Sequence, residues 1–300
     1  MKKDLLIVKN LSKSFWNKKE KQYDVIISDI SFNISENEAV GLLGNNGAGK
    51  STILRCISGL MKPDSGEVIL DGINKDNKKR AFLSRMFLLI EGSQMCFPRF
   101  TVWENLKYIS RLRGMDFKKK SDAALNYLEI FQLTEKKNSL MQILSTGMQK
   151  KVSIIMSLIS DAKLVIMDEP VSSLDLETRE AFLSQFLNAI KQNKEKSFLI
   201  TSHDLRFIER SCDKVILLSK GKIVAQDNVK NLKGIFSSST FLIIGFVNNI
   251  KDIEIVCNKF PGTKILESEN PIKIEYTFIQ QENYQDIYPF LDALKIMEFQ

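Results

Sequence analysis

Gly44-Asn45-Asn46-Gly47-Ala48-Gly49-Lys50-Ser51-Thr52 is the stretch on which the fold turns. It satisfies the spacing G-x-x-x-x-G-K-[ST], with Gly44, Gly49, Lys50 and Ser51 at the fixed positions. The apolar run EAVGLLG enters it and reads as a strand, and TILRCISGL leaves it with Ile53, Leu54 and Ile57 at helical spacing. Between a strand and a helix, such glycines let backbone N–H groups turn inward as an anion nest. The helix start adds its positive dipole end. In that cradle Lys50 is placed to reach β- and γ-phosphates, and the Ser51 hydroxyl to ligate Mg2+. The loop by itself does not say what the nucleotide is for.

Around the loop the chain alternates in an orderly way. Upstream, LLIV and VIISDISFNI read as short β segments, with Phe32 and Ile34 alternating with Ser31 and Asn33 as in a half-buried strand. Downstream, Asp64-Ser65-Gly66 is a turn into the strand EVILDG. From about 95 to 160 the texture is helical. VWENLKYISRLRG puts Val102, Leu106 and Ile109 on one face, and SDAALNYLEIF offers Ser121 or Asp122 as an N-cap. Strands return in KLVIMDEP and SFLITSHD, separated by a helix with Phe182, Phe186 and Ile190 on one side. Strand–helix–strand repetition predicts a mostly parallel α/β sheet with right-handed crossovers. The expected organisation is a nucleotide-binding core over 1–235, with a helical insert at about 95–160. A small α+β appendage follows over 236–300, with strands FLIIGFV and PIKIEYTFI and helices around DIEIVCNKF and YPFLDALK.

Composition narrows the classes. Lys+Arg 43 against Asp+Glu 36 gives a net charge of +7, spread over short lysine runs rather than gathered into an aromatic-lined stripe. Nucleic acid is therefore not expected as a partner. The basic balance does suit work near an anionic membrane surface. Cys56, Cys96, Cys212 and Cys257 form no C-x-x-C pair, which fits a reducing cytosol better than a disulfide or zinc framework. FLIIGFV, from Phe241, is far short of a membrane span, so a role at the membrane would have to come through a partner.

Three further stretches carry chemistry. KLVIMDEP ends a buried strand in two carboxylates, at the sheet edge where open α/β sheets bind ligand. Asp168 there is a candidate for holding Mg2+, and Glu169 for polarising the attacking water as general base. ILSTGMQKK, Ile143 to Lys151, is a second small-residue turn opening a helix, with Ser145 and Gly147 allowing a phosphate to approach. Read alone it is an ordinary N-capped helix. One nucleotide has no use for two γ-phosphate sites, so this turn points to a nucleotide held by a second subunit. His203, the chain's single histidine, follows a strand expected beside KLVIMD, from which its ring can reach the γ-phosphate.

In that order, these motifs resemble the ATP-binding cassette (ABC) ATPase family over about residues 4 to 230. The resemblance implies a P-loop NTPase fold with an N-terminal antiparallel β subdomain and an inserted helical subdomain. Gly44 to Thr52 look like Walker A, Asp168 and Glu169 like Walker B, and Ser145 and Gly147 like the signature loop. Ser173-Leu174-Asp175 resembles the D-loop, which makes Asp175 a nucleotide-binding candidate, and His203 resembles the switch histidine. The implied assembly is a head-to-tail dimer with ATP and Mg2+ between the subunits, as homodimer or heterodimer. That dimer sits on the inner face of the membrane and drives separate integral membrane permeases. Phe15, with Trp16 and Tyr23 as rivals, is the implied adenine-stacking aromatic; for each the alternative is core packing. Two positions depart from the family. Thr146 and Met148 replace the glycine and glutamine of L-S-G-G-Q, and Glu91 stands where a glutamine is usual, with Gln94 as alternative. At about 6 Å and an effective dielectric near 20, the pull of Glu91 on Mg2+ and its push on phosphate are each about a few kcal/mol and oppose. The wording I-E-G with S-T-G-M resembles cassettes of bacterial peptide-antibiotic exporters. A soluble ABC protein acting on ribosomes or DNA is the alternative class.

Overall fold

The computed structural model describes residues 3–90, 96–172, 176–193, 195–231, 240–247, 264–267 and 272–279. Two compact units are present, Met1–Val229 and Lys230–Gln300.

The first unit contains two sheets. Strands β1 (Asp4–Asn17) and β2 (Gln22–Ser35) form a long antiparallel hairpin, joined at its edge by β4 (Ser65–Leu70) and β5 (Ile73–Asn74), in the order β2-β1-β4-β5. The sequence led us to expect short segments here. The strands instead run for 14 residues each, because register shifts near Asn10 and Lys13 absorb the polar interruptions without ending the pairing. Leu5, Leu6, Val8 and Leu11 of β1 are buried against Ile27, Ile30, Phe32 and Ile34 of β2 in one cluster.

The second sheet has the order β10-β9-β3-β8-β7-β6. It comprises β3 (Ala39–Leu43), β6 (Met86–Leu89), β7 (Leu164–Asp168), β8 (Ser197–Ser202), β9 (Lys214–Ser219) and β10 (Lys222–Asn228). All pairings are parallel except that of β10 with β9. Every residue of β3, β7 and β8 is buried, as strands covered on both faces must be, and that is why they read as unbroken apolar runs. In register, Leu43 opposes Ser202 and Asp168 opposes Thr201, so three strands deliver their C-terminal ends to one edge.

Helices α1 (Lys50–Ile57) and α2 (Lys79–Ser84) follow the first crossings. The helical insert contains α3 (Val102–Leu112), α4 (Phe117–Ile130) and α5 (Thr146–Ile159), with α3 and α4 both packed on α5. A capping box starts α3: Thr101 Oγ1 accepts from Glu104 N, while the Glu104 carboxylate accepts from Thr101 N. Helix α4 begins earlier than Ser121 or Asp122. Its cap is Asp116, whose carboxylate accepts from Lys118 N. Burial of Phe117, edge-on to Trp103 at 5.0 Å, draws the lysine run into the first turn, and Ser121 Oγ merely donates back to Lys118 O. Helices α6 (Leu176–Gln192) and α7 (Leu205–Ser211) complete the unit, with Phe182, Phe186 and Phe207 stacked in series between them.

The second unit is a three-stranded antiparallel sheet, ordered β11-β13-β12, of β11 (Thr240–Val247), β12 (Lys264–Glu267) and β13 (Ile272–Ile279). Strands β11 and β13 are the two expected from sequence, and β12 is additional. The helices expected around DIEIVCNKF and YPFLDALK lie outside the described residues. Among the described residues no helix is long and apolar enough to cross a membrane.

Candidate nucleotide site

The glycine turn leaves the buried end of β3 and is shaped by close approaches. A Cβ on Gly44 would lie 2.6 Å from Leu218 O, so no larger residue fits there without displacing β9. Gly49 is the N-cap of α1 in the left-handed region at φ 103°, and its Cβ would meet Ile27 at 2.7 Å. Behind the turn, Ala48 O accepts from Gly221 N, and Gly221 O accepts from Ser28 N of β2. The rim formed by Asn45, Asn46 and Gly47 faces solvent. Helix α1 starts with no side-chain cap and no acidic residue in its first turn. Its N-terminal N–H groups and dipole are thus offered to an anion from outside the chain.

Lys50 is buried, and its ammonium donates to Gly44 O at 2.6 Å and to Asn45 O at 3.4 Å. It also stands 3.5 Å from Glu169 Oε1. Ser51 and Thr52, on the first turn of α1, are half-buried, and Ser51 Oγ donates to Asp168 Oδ1 at 3.4 Å. The same oxygen of Asp168 accepts from Thr201 Oγ1 at 2.6 Å. Glu169 leaves β7 with φ 48°, and its N–H is held by Thr201 Oγ1 at 3.0 Å and Thr201 O at 3.2 Å. His203, just past β8, brings Nδ1 to 3.1 Å from Glu169 Oε2. Its neighbour Asp204 caps α7 and pairs with Arg179 of α6, which anchors the loop bearing the ring.

The structure therefore gathers Lys50, Ser51, Asp168, Glu169 and His203 at one sheet edge beside the turn. Ser51 and Asp168 offer two hard oxygen donors side by side. Among the described residues no group of three or more metal-binding side chains occurs. That donor set fits Mg2+, which is usually held by one or two protein oxygens while phosphates and water supply the rest.

Ser145 and Gly147 stand on a different element, the start of α5. Ser145 caps that helix, its Oγ accepting from Met148 N at 3.3 Å, and it lies exposed with Thr146. Phe15, Trp16 and Tyr23 are all exposed, at 42%, 52% and 67%, so the core-packing alternative fails for each. Trp16 and Tyr23 pair edge-to-face at 5.1 Å, and Lys13 Nζ lies 5.5 Å over the Phe15 ring. Glu91, its alternative Gln94, and Asp175 lie outside the described residues. Thr201 was not singled out from sequence. Its one signal is the change from apolar to polar residues as SFLITS ends, in register with Asp168.

The family model for ABC transporters matches residues 27–172. Over 206 residues the chain is 31% identical to the ABC transporter ATP-binding protein NatA of Bacillus subtilis, covering 69% of this chain and 83% of that one. The chain belongs to the ABC transporter ATP-binding family.

This cassette is thus one of a family of ATPases. It is also 33% identical to the Nod factor export ATP-binding protein I of Rhizobium etli, over 69% of this chain and 65% of that one. It is 33% identical to a methionine import ATP-binding protein, MetN, of Legionella pneumophila, over 74% of this chain and 64% of that one. Among solved structures, an ATP-binding subunit of an ABC transporter superposes with a TM-score of 0.66 at 26% identity, covering 77% of this chain and 93% of that one.

Proposed function

We propose that this cassette is the ATP-hydrolysing engine of an exporter for peptides, antibiotics or lipophilic compounds, coupled to separate integral membrane permeases. The observation that carries the hydrolytic part is the Glu169 carboxylate, set between Lys50 Nζ at 3.5 Å and His203 Nδ1 at 3.1 Å beside an uncapped helix start. ATP lies with its phosphates on the backbone of residues 44–52, and Lys50 exchanges its loop carbonyls for phosphate oxygens. Ser51 and Asp168 would hold Mg2+, which would supply charge neutralisation for the phosphates. Glu169 takes a proton from the attacking water, and His203 orients the carboxylate. Phe15 stacks on adenine. The family resemblance assigns Glu91 to Mg2+ or water and Asp175 to the nucleotide.

Ser145 and Gly147 sit at the start of α5, rather than on the sheet edge that bears Lys50 and Glu169. That separation supports a dimer in which each subunit's α5 closes over its partner's ATP, at the cytoplasmic face of the membrane. Relatives named for export and for import both occur. The exporter reading therefore leans on the I-E-G and S-T-G-M wording. Glu169→Gln is expected to bind ATP and lose turnover by about 10²- to 10⁴-fold. Wild-type turnover in that variant would overturn the assignment. Affinity purification from detergent-solubilised membranes is expected to recover integral membrane proteins, whereas recovery of ribosomes or DNA would favour the soluble alternative.

A further inference from the structure

Lys150 lies on α5, five residues past Ser145, or about 7.5 Å along the axis at the usual rise. Its ammonium leaves the helix and ends on the turn that follows β7. There it donates to Ser172 O and, at 3.2 Å, to Ser172 Oγ. Ser172 does not stop the chain of contacts. Its Oγ–H donates to Glu169 O at 2.9 Å, and its N–H donates to the same oxygen at 3.1 Å. With its proton committed to Glu169, the Ser172 hydroxyl has only lone pairs to offer Lys150, so the direction of every bond in the series is fixed. Glu169 is gripped on its other side, where Thr201 Oγ1 and O accept from its N–H.

The backbone on which Glu169 turns thus has two holds. One is β8, a rigid neighbouring strand. The other is α5, the helix whose first residues form the exposed Ser145–Gly147 turn. The left-handed backbone at Glu169, φ 48°, is a conformation a glutamate adopts only when its surroundings fix it.

We propose that Lys150 is a positioning residue for hydrolysis: through Ser172 it fixes the Glu169 turn and ties its placement to the position of α5. This rests on the reading of Glu169 as general base. A displacement of α5 is then felt at Glu169 of the same chain through two side chains. The Ser145 turn and the hydrolytic carboxylate respond together.

The experiment measures kcat and KM for ATP, with direct ATP affinity, for the purified chain and for Lys150→Met, Lys150→Arg, Ser172→Ala and the Met/Ala double variant. Lys150→Met is expected to lower kcat about 10-fold while KM and ATP affinity stay within about 2-fold. Lys150→Arg, which keeps charged donors, recovers most of the loss. Ser172→Ala removes the hydroxyl but keeps the backbone bonds from Lys150 to residue 172 and from residue 172 to Glu169, so it gives a smaller loss. The double variant falls short of the product of the two losses, because the hydroxyl belongs to the same link. Wild-type kcat in Lys150→Met overturns the proposal. So does a loss of kcat matched by a loss of ATP affinity, and so do multiplying losses in the double variant. If Lys150→Met fails to fold, Lys150→Gln, which removes the charge and shortens the reach to residue 172, carries the same test. Glu169→Gln is run alongside. An active Glu169→Gln defeats the general-base reading, whereas an inactive Glu169→Gln with a fully active Lys150→Met defeats only the link.

Discussion

His203 and Glu169, 34 residues apart in the chain, meet at 3.1 Å through Nδ1 and Oε2. The pair exists because β7 and β8 are parallel neighbours ending at one level, and each residue stands just past its strand. His203→Ala is expected to lower kcat by about 10- to 100-fold with ATP affinity largely kept, on the reading that the ring acts chiefly through the Glu169 carboxylate it contacts. Stopped-flow nucleotide binding beside steady-state hydrolysis separates the two; equal losses in both would contradict it.

Thr201 serves Asp168 and Glu169 together, donating to the one and accepting from the other's backbone. Thr201→Val keeps the shape and the β-branch but leaves a buried carboxylate and a buried N–H without that partner. Stability should fall by about 1–3 kcal/mol in denaturant titration, and hydrolysis should fall with it. An unchanged midpoint would show that solvent replaces the hydroxyl.

Gly44→Ala should be worse than its size suggests. Its Cβ would stand 2.6 Å from the backbone oxygen of Leu218, which cannot swing aside. Loss of ATP binding with a lowered melting temperature is the expected result. Gly47→Ala meets nothing within 4 Å and carries only the strain of φ 80°, about 1 kcal/mol, so it should keep most of its stability.

Helix α4 gives a clean pair of substitutions. Asp116→Ala removes the cap and should cost about 1 kcal/mol, whereas Ser121→Ala, half-buried within the helix and away from its start, should cost less. Thermal melts of both variants decide which residue starts the helix.

Lys196 is buried and donates to Ser160 O at 2.5 Å and Ala162 O at 2.7 Å, at the end of α5 and the approach to β7. Burial pulls its pKa from 10.5 down to about 8. Below about pH 8 both folded and unfolded states hold the proton, and the folded state bears the full desolvation penalty. From about 8 to 10.5 the unfolded chain binds more protons, so this group adds stability as pH rises. Denaturant titrations between those limits should show a shallower pH slope in Lys196→Met than in the wild type. Equal slopes would mean that the amine is solvated.

The fold was legible because its decisive elements are contiguous. EAVGLLG, KLVIMD and SFLITS are apolar runs long enough for strands covered on both faces, and the glycine spacing at 44–49 is local. Thr201, Ser172 and Lys150 were not legible. Each is an ordinary surface-type residue, and its importance comes from a partner 22 to 33 residues away that only the folded register supplies. The start of α4 was misread for a related reason. A lysine run looks like loop until Phe117 is seen to bury itself against Trp103. For Phe15 and its rivals Trp16 and Tyr23 the sequence left core packing open as the alternative, and only the fold shows all three exposed at the far end of the hairpin.

The turn at Gly44–Gly49 is pinned from behind, by Gly221 N on Ala48 O and by Ser28 N on Gly221 O, before any anion arrives. Its backbone has little freedom left to lose. On the proposed reading, this turn has little order left to gain when phosphates arrive, so the entropic penalty of capture at the turn falls mainly on the nucleotide and its water.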